Sequence, residues 1–389
     1  MKSNYENGTL TIFLEGHIDS GNAPQREEEI NAVRSQYPDT KAIVFDAQDL
    51  TYISSAGLRI ILRVMKEIKN VRIINASSEV YEILDMTGFT EMLDVKKAYR
   101  VISVEGCEVI GQGANGKVYR IDPDTIVKVY MDPDSLPDIQ RERELARKAL
   151  ILGIPTAIPY DVVRVGEGYG SVFELLNAKS FAKILSSDSS KLDEIVRMSV
   201  DLLKKIHGTL VRPGDMPSMK EVVVKWASFL KDYLPEDKGE KLVRLVEEVP
   251  EDQHMLHGDY HIKNVMIQNG EVLLIDMDTL CVGYPIFEFA SIYNAYQGFS
   301  SFDHNNINGF LGITYEQGAE FWDKTLKYYF DDKTQEERDI IAEKAKLLGL
   351  TRIMRRSIRR RGKEENEELI AFCKEEICRL LEEIDTLMI

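Results

Sequence analysis

Residues 257–264 read HGDYHIKN, and residues 275–278 read IDMD. Between the two stretches, Asn269-Gly270, a dipeptide that favours a tight two-residue turn, is flanked by the apolar residues Val265, Ile267, Val272 and Leu274. The pattern predicts a β-hairpin inside a region, from residue 190 onward, where helix patterns otherwise dominate.

The polar residues of these two stretches are the groups that phosphoryl transfer requires. That reaction needs a carboxylate to orient an attacking hydroxyl and accept its proton, together with oxygen ligands for Mg²⁺. Asp259, Asn264 and Asp276 supply them. A Gly-Asp turn and two strand-end caps would explain any one of these residues, but not all three in this order and spacing. His257 is interpreted as a hydrogen-bonded brace for the loop backbone.

A glycine-rich segment, GQGANGKV at 111–118, precedes these stretches. Its glycines, Gly111, Gly113 and Gly116, would let the backbone fold closely over phosphates, and Val118 can pack on an adenine ring. Taken alone, the segment is explained equally well by a structural glycine-rich hairpin. The residues that follow it favour the phosphate-binding interpretation.

Lys128 lies in the apolar strand pattern IVKV, where a buried ammonium group is costly without an anionic partner. Glu142 shares one face of a predicted helix with Ile139 and Ala146 and therefore points inward. We expect Lys128 to pair with Glu142, which would hold the ammonium group ready for the α- and β-phosphates of a nucleotide.

The chain divides into regions of different pattern. Residues 1 to about 98 alternate short strands and helices, which favours a small sheet covered by helices. Residues 104–176 are mostly strand patterns with one helix near 136–151, and helices dominate from 190 onward. A strand-rich lobe followed by a larger helical lobe predicts a bilobal domain with a cleft between the lobes.

Residues 104 to roughly 360 resemble the aminoglycoside phosphotransferase branch of the protein-kinase-like fold, because His261 follows the motif aspartate where protein kinases usually carry lysine. The resemblance implies ATP and Mg²⁺ as cofactors and Asp259 as the catalytic base. It also implies a hinge against adenine at Phe173, Glu174 and Leu175, nucleotide contacts from Gly111, Gly113, Gly116, Val118, Lys128 and Glu142, and Mg²⁺ ligands at Asn264 and Asp276. Where relatives often have Gly-Asp-Pro and then Asp, this chain has Gly-Tyr-Pro and then Glu288, at a position that usually supports the loop.

A serine pair lies in residues 52–59, YISSAGLR, where a predicted strand ends and a helix begins. Ser54 or Ser55 can cap the helix by accepting a backbone N–H, a contribution of about 1 kcal/mol. The same geometry would hold a phosphoryl group on the serine through free N–H groups and the positive end of the helix dipole. The residues alone leave both interpretations open.

Residues 1–98 resemble a STAS domain of the bacterial anti-sigma-factor antagonist type. The stretches that carry this resemblance are GHID at 16–19, SSAGL at 54–58 and LDMTGF at 84–89. The resemblance places the serine that a partner-switching kinase phosphorylates at Ser55, and it implies an anti-sigma factor or another regulatory protein as partner. Ser54 replaces the usual aspartate and Arg59 the usual final glycine, so Arg59 is expected either to pair with a phosphate or to fill the surface where a partner docks.

Basic residues cluster near the C-terminus, in residues 352–363. On a helix, Arg352, Arg355, Arg356 and Arg359 share one face, which we call the arginine face. It can be a solvated face that pairs with the acid-rich residues 364–368. The alternative is an anion site for an acceptor substrate or for the other domain.

The overall composition limits the partners. A net charge of −16 disfavours nucleic acid and anionic membrane surfaces, which would be repelled at long range. The N-terminus lacks a signal-peptide pattern, and no stretch approaches the roughly 18 uninterrupted apolar residues of a membrane span. Four cysteines without a CxxC pair are expected to be reduced. These features predict a cytoplasmic protein.

The combined expectation is an α+β multidomain protein: a small STAS α/β sheet domain at 1–98, then a bilobal protein-kinase-like domain with its N-lobe at 99–176 and its helical C-lobe at 177–389. The expected function is ATP- and Mg²⁺-dependent phosphoryl transfer to a hydroxyl of a small molecule, regulated by or docked through the STAS domain. The alternative is a partner-switching signalling protein whose kinase-like domain phosphorylates its own Ser55 or another protein.

Overall fold

The computed structural model describes residues 1–112, 116–361 and 367–389. They form two compact units, the first comprising residues 1–103 with 162–167 and the second 104–161 with 168–389. Each unit has its own buried apolar core. The α+β multidomain class predicted from the sequence is confirmed.

The first unit is built on a five-stranded sheet in the order β1-β2-β3-β4-β5, in which only the β1–β2 pair is antiparallel. Its strands are β1 (Ser3–Glu6), β2 (Thr9–Ile18), β3 (Ala42–Ile53), β4 (Val71–Ala76) and β5 (Asp94–Lys97). Its helices are α1 (Ala23–Ser35), α2 (Ser55–Glu67), α3 (Ser78–Met86) and α4 (Phe89–Met92). Within the same unit, β6 (Arg100–Ile102) pairs in parallel with Val163–Val165 of β10 (Pro159–Val165).

The sequence pattern identifies the three central strands of this sheet but not its two edges. Leu10, Ile12 and Leu14 on β2 are buried, as their period of two predicts. Strands β1 and β5 have four residues each and are only half-buried, so they carry too little apolar alternation to be recognised.

The strand-rich part of the second unit is an antiparallel sheet with the order β7-β8-β9-β11. Its strands are β7 (Glu108–Gln112), β8 (Gly116–Asp122), β9 (Thr125–Tyr130) and β11 (Gly168–Glu174). Helix α5 (Leu136–Ile151) has the position expected from its pattern and buries Ile139, Glu142 and Ala146.

The remainder of the second unit is mostly helical. Its helices are α6 (Phe181–Ser187), α7 (Leu192–His207), α8 (Met219–Leu230), α9 (Glu236–Glu247), α10 (Ile286–Tyr296), α11 (Asn305–Leu311), α12 (Tyr315–Tyr329), α13 (Gln335–Arg361) and α14 (Glu367–Glu383), and its short strands are β12 (Lys179–Ser180), β13 (Met255–Leu256), β14 (Val265–Gln268), β15 (Glu271–Leu274) and β16 (Cys281–Val282). Every residue of α10 is buried. This helix therefore forms the centre around which the loops of the unit are arranged.

The predicted hairpin is present as β14 and β15, and its turn residues Asn269 and Gly270 have φ values of 52° and 85°. Left-handed backbone at both positions is the geometry of a type I′ turn. At the open end of the hairpin, the N–H of Ile275 donates to the carbonyl of Asn264 over 2.9 Å. The hairpin thereby brings together the ends of the two polar stretches, residues 257–264 and 275–278.

Among the described residues, no helix combines the length and apolar character needed to cross a bilayer. All four cysteines are described and are free thiols.

Gly57 on α2 is packed against β2 and β3 of the first unit. A Cβ added at Gly57 would lie 2.7 Å from side-chain carbons of Ile18 and Ile53, whose β-branched side chains cannot easily turn away. We expect Gly57→Ala to destabilise the first unit by roughly 1–3 kcal/mol, the usual cost of overpacking. Native-state hydrogen exchange at the buried amides of β3 measures this loss within the intact chain.

Ser55→Ala is the matched control, because Ser55 is exposed on the same helical turn and makes no side-chain hydrogen bond in the described structure. Its exchange should equal that of the wild type. Equal protection of β3 in Gly57→Ala and Ser55→Ala would contradict the packing argument.

Candidate active site

The loop that carries HGDYHIKN is anchored by a buried carboxylate. Glu288 on α10 has no exposed surface and accepts hydrogen bonds from the backbone N–H groups of His257 and Gly258. Gly258 has φ of +80°, and a Cβ there would lie 2.5 Å from the Thr279 carbonyl oxygen. Glycine is thus required at this position, both for its backbone angle and for the close approach of Thr279.

The side chain of His257 braces the same loop, as the sequence interpretation expects. Its Nδ1 accepts from the N–H of Asp259 and its Nε2 lies within hydrogen-bonding distance of the Ile275 carbonyl, both over 3.3 Å. These partners require the tautomer that carries its proton on Nε2. The ring therefore joins the loop to the residue before Asp276.

Asp259 extends from this loop with about two-fifths of its side chain exposed. Its Oδ2 lies 3.5 Å from Nε2 of His261, and its Oδ1 lies 3.6 Å from a guanidinium nitrogen of Arg352 on α13. Partial burial raises the pKa of Asp259, but His261 and Arg352 outweigh this effect and lower it below its ordinary value. Asp259 is therefore a carboxylate at neutral pH.

Lys128 on β9 is held between two carboxylates. Its Nζ donates to both oxygens of Glu142, over 2.9 and 3.1 Å, and to Oδ1 of Asp276 over 2.8 Å. Burial alone would lower the pKa of Lys128, but Glu142 and Asp276 raise it, so the side chain is an ammonium ion. The Lys128–Glu142 pair expected from the sequence is present, and the Tyr130 hydroxyl donates a further hydrogen bond to Glu142.

Three side chains with oxygen atoms, those of Asn264, Asp276 and Asp278, lie on the same side of the site as Lys128. Asn264 donates through Nδ2 to the carbonyl of Asp259 over 3.1 Å, and this contact leaves its amide oxygen as an acceptor. Asp276 has a left-handed backbone with φ of 64°, an uncommon conformation for a residue other than glycine. Burial, together with the charges of Asp276 and Glu142, raises the pKa of Asp278 to about 7. This concentration of carboxylates is a place where a hard cation would be favoured.

A cleft of about 1020 Å³ joins these groups within the second unit. Lys128, Glu142, Asp259, Asn264 and Asp276 all line it. The sequence-predicted nucleotide residues Gly111, Gly116, Val118, Phe173, Glu174 and Leu175 line it as well. Gly113 lies outside the described residues. The structure thus brings every described residue of the predicted kinase-like site to one cleft.

The sequence patterns assign no role to several residues that line the cleft or contact its lining residues. Tyr130 lies two positions after Lys128 on the same strand, and that spacing, which puts both side chains on one face, could have indicated it. Asp278, in the stretch IDMD, also lines the cleft. Trp226 on α8 and Phe310 on α11 also line the cleft, but no local pattern in the sequence points to them.

Ser55 belongs to the first unit, where it is exposed at the first position of α2. The capping interpretation is not supported, because the side chain of Ser54, the residue at the N-cap, makes no capping hydrogen bond and its buried hydroxyl has no partner among the described residues. Arg59 follows Ser55 by four residues on α2 and is also exposed. At this spacing the two side chains are neighbours on the helix surface.

The fold and the cleft define a kinase-like phosphotransferase domain that follows a STAS domain. A model described as "Phosphotransferase enzyme family" matches residues 106–321, and a STAS domain model matches residues 3–102. Since the first match covers more than half of the 389 residues, the chain belongs to the phosphotransferase enzyme family.

Individual relatives agree with this assignment. BtrV of Bordetella bronchiseptica, a protein assigned as an anti-sigma factor antagonist, is 34% identical over 92 residues, which are 23% of this chain and 78% of BtrV. The ADP-bound aminoglycoside phosphotransferase APH(2'')-Ib has a TM-score of 0.50 at 15% identity, over 77% of this chain and 98% of that one. APH(2'')-IIa with streptomycin and ATP has the same TM-score at 16% identity, over 77% and 97%. At these identities the structural likeness shows the fold alone.

The Glu288 anchor gives a testable prediction. In Glu288→Gln the amide nitrogen would face a backbone N–H of the loop, which leaves a buried donor unsatisfied. We expect a cost of about 1–3 kcal/mol, concentrated at residues 255–264. Hydrogen exchange of peptides from this segment measures the loss.

Glu375→Gln on α14 is the control, because Glu375 is exposed and no ion pair holds it in the described structure. It makes the same chemical change without burial. Wild-type protection of residues 255–264 in Glu288→Gln would show that the carboxylate does not hold the loop.

Proposed function

We propose that the protein transfers the γ-phosphate of ATP, with Mg²⁺, to a hydroxyl group of a small molecule. The STAS domain either regulates this activity or docks the protein to a partner. The observation that carries the proposal is the meeting of Lys128, Asp259, Asn264 and Asp276 in one cleft of a phosphotransferase-family domain. The Lys128 ammonium ion, fixed by Glu142, is suited to the α- and β-phosphates. Apolar residues of the same cleft, among them Val118 and Ile126, suit an adenine ring.

Asp259 is the proposed catalytic base. Its carboxylate is ionised and accessible, and its loop is fixed by Glu288, so it can accept a hydrogen bond from the acceptor hydroxyl and orient the oxygen toward the γ-phosphorus. In phosphoryl transfer such positioning contributes more than a strongly basic group, because the transition state has little bonding to the nucleophile.

The donor set fits Mg²⁺. Asn264 and Asp276 offer oxygen ligands, and the crowded carboxylate of Asp278 would be relieved by a cation. Among the described residues, no group of three or more histidine, cysteine or acidic side chains is arranged so that it could hold a metal ion by itself. This agrees with Mg²⁺, which commonly takes one or two carboxylates and completes its shell with phosphate oxygens and water. When bound, the ion would neutralise charge on the β- and γ-phosphates.

The role of Asp259 is tested by Asp259→Asn. The amide keeps the shape of the side chain but removes the proton acceptor, so we expect turnover to fall by about 10²–10⁴-fold while nucleotide affinity is largely kept. ADP release during a screen of hydroxyl metabolites measures the first quantity, and calorimetry with ATP measures the second. Asp323→Asn on α12, an exposed aspartate remote from the cleft lining, should match the wild type. Wild-type turnover in Asp259→Asn would exclude the proposed base.

A second candidate function is phosphoryl transfer to Ser55 itself or to another protein. It is favoured by the exposure of Ser55 at the start of α2 and by Arg59, which is suitably spaced to contact a phosphate on that serine. The likeness of the first unit to an anti-sigma factor antagonist agrees with a regulatory role for this surface.

Incubation of the purified chain with labelled ATP separates the two functions. If the kinase-like domain modifies its own STAS domain, label should appear on Ser55 and be lost in both Ser55→Ala and Asp259→Asn, but not in Ser54→Ala. Mass spectrometry of the labelled peptide locates the phosphate. Stoichiometric labelling that survives Ser55→Ala would refute this site.

A further inference from the structure

The arginine face of α13 opens into the cleft. Arg352, Arg355, Arg356 and Arg359 all line it, as their predicted common helix face allows. Residues 362–366, which include most of the acid-rich stretch expected to neutralise them, lie outside the described residues. Glu367 and Glu368 are described and exposed, and neither forms an ion pair with Arg352, Arg355 or Arg359 in the described structure. For Arg352, Arg355 and Arg359, the described part of the chain therefore shows no pairing with this acid-rich stretch.

The four arginines differ in the contacts that their guanidinium groups make with the rest of the protein. Arg352 donates to the Gly258 carbonyl over 3.3 Å and to the Ser291 hydroxyl over 3.2 Å, in addition to its pairing with Asp259. Arg352 therefore helps to hold the loop at residues 257–264 in place. Arg356 lies over the ring of Phe299 at 5.5 Å.

Arg355 and Arg359 have no carboxylate partner among the described residues. The Nε of Arg355 is buried and lacks a hydrogen-bond acceptor there. Its guanidinium lies 5.8 Å from the centre of the Trp226 ring. Burial and the charge of Arg359 both disfavour the charged form of Arg355 and lower its pKa. An anion between the two side chains would accept a hydrogen bond from Arg355 and would compensate the repulsion between the two positive charges.

The acidic groups of the cleft lie away from these arginines. Glu142 and Asp276 are held by Lys128, Asp278 lies beside them, and Glu174 accepts a hydrogen bond from the N–H of Ile158. Asp259 contacts the arginine face through an ion pair with Arg352. The side of the cleft beyond Asp259 is therefore positive, although the chain as a whole carries a charge of −16.

Building on the proposed function, we propose that the acceptor is a small hydroxyl compound that carries a phosphate or carboxylate group. The anionic group binds between Arg355 and Arg359, and the hydroxyl lies at Asp259. Along the axis of α13, Arg355 and Arg359 are about 4.5 and 10.5 Å from Arg352, so the anionic group is several bonds from the reacting hydroxyl. Trp226 offers an apolar surface for the carbon skeleton between them.

The proposed transfer needs no reactant other than ATP and the acceptor. The acceptor oxygen bonds to the γ-phosphorus as the bond from that phosphorus to the β,γ-bridging oxygen breaks. ADP leaves with the electrons of that bond, and the hydroxyl proton passes to Asp259. The product carries one more phosphate than the acceptor. An aminosugar, by contrast, would place an ammonium group against arginines.

Direct binding tests the anion site apart from catalysis. With Mg²⁺ and a non-hydrolysable ATP analogue saturating the nucleotide site, the intact protein is titrated by calorimetry with inorganic phosphate, glucose 6-phosphate, gluconate, glucose and glucosamine. We expect the anionic sugars to bind at least about tenfold more tightly than glucose, since charge-assisted hydrogen bonds are the stronger ones. Their relative affinities distinguish a phosphate from a carboxylate.

Variants locate the site. Arg355→Gln/Arg359→Gln should weaken anion binding by about tenfold or more while analogue affinity is kept. Arg359→Gln alone, at an exposed position, provides the same test if the double variant is unstable. Arg338→Gln, about 26 Å before Arg355 along α13, also removes an arginine charge and should leave anion binding unchanged.

Three outcomes overturn the proposal. They are anion binding that is unchanged in the cleft variants, tighter binding of glucosamine than of glucose 6-phosphate, and no saturable anion binding by a wild-type protein that binds the analogue. In each case the proposed phosphotransferase function remains, because the analogue titration and the Asp259→Asn comparison test it separately. Failure to bind the analogue would instead contradict the proposed function itself.

Discussion

The site depends on one buried carboxylate. Glu288 lies on a helix without an exposed residue, and a charge so far from water is tolerated only where hydrogen bonds replace its hydration. The N–H groups of His257 and Gly258 provide these bonds, and the same bonds fix the start of the loop that ends in Asn264. Since the loop cannot move without uncovering this charge, Asp259 has a defined position before any substrate is bound.

Carboxylates and arginines lie at different ends of the cleft, a separation that the overall net charge does not reveal. At one end, Lys128 on β9 is paired with Glu142 on α5 and with Asp276, which follows the hairpin. At the other end, α13 presents arginines. A net charge of −16 opposes the approach of a nucleotide at long range, so the proposed nucleotide binding would depend on short-range groups: the ammonium ion of Lys128, backbone amides and a metal ion.

The sequence predicts those parts of the site that are defined by local spacing. The turn at Asn269-Gly270, the inward face that carries Glu142 and the polar stretches around Asp259 each combine a local pattern with a chemical requirement, and the structure places them as expected. The sequence leaves the position of the arginine face open, because its surroundings come from α8 and the loop at residues 257–264, about 130 and 100 residues earlier in the chain. No periodicity records such contacts, and the same limit applies to Trp226 and to the edge strands of the first unit.

The contact between Arg352 and Asp259 connects binding with chemistry. A guanidinium 3.6 Å from the carboxylate stabilises its charge and makes it a weaker base. In the proposed reaction this is no loss, because the hydroxyl proton is transferred late, when the bond to phosphorus is largely formed and the proton has become acidic. A weak but ionised base stays unprotonated at neutral pH and orients the hydroxyl continuously. The same helix that tunes this base also carries Arg355 and Arg359. An anionic acceptor bound to them would stabilise the helix position on which the orientation of Asp259 depends, so that acceptor recognition and catalytic geometry are properties of one structural element.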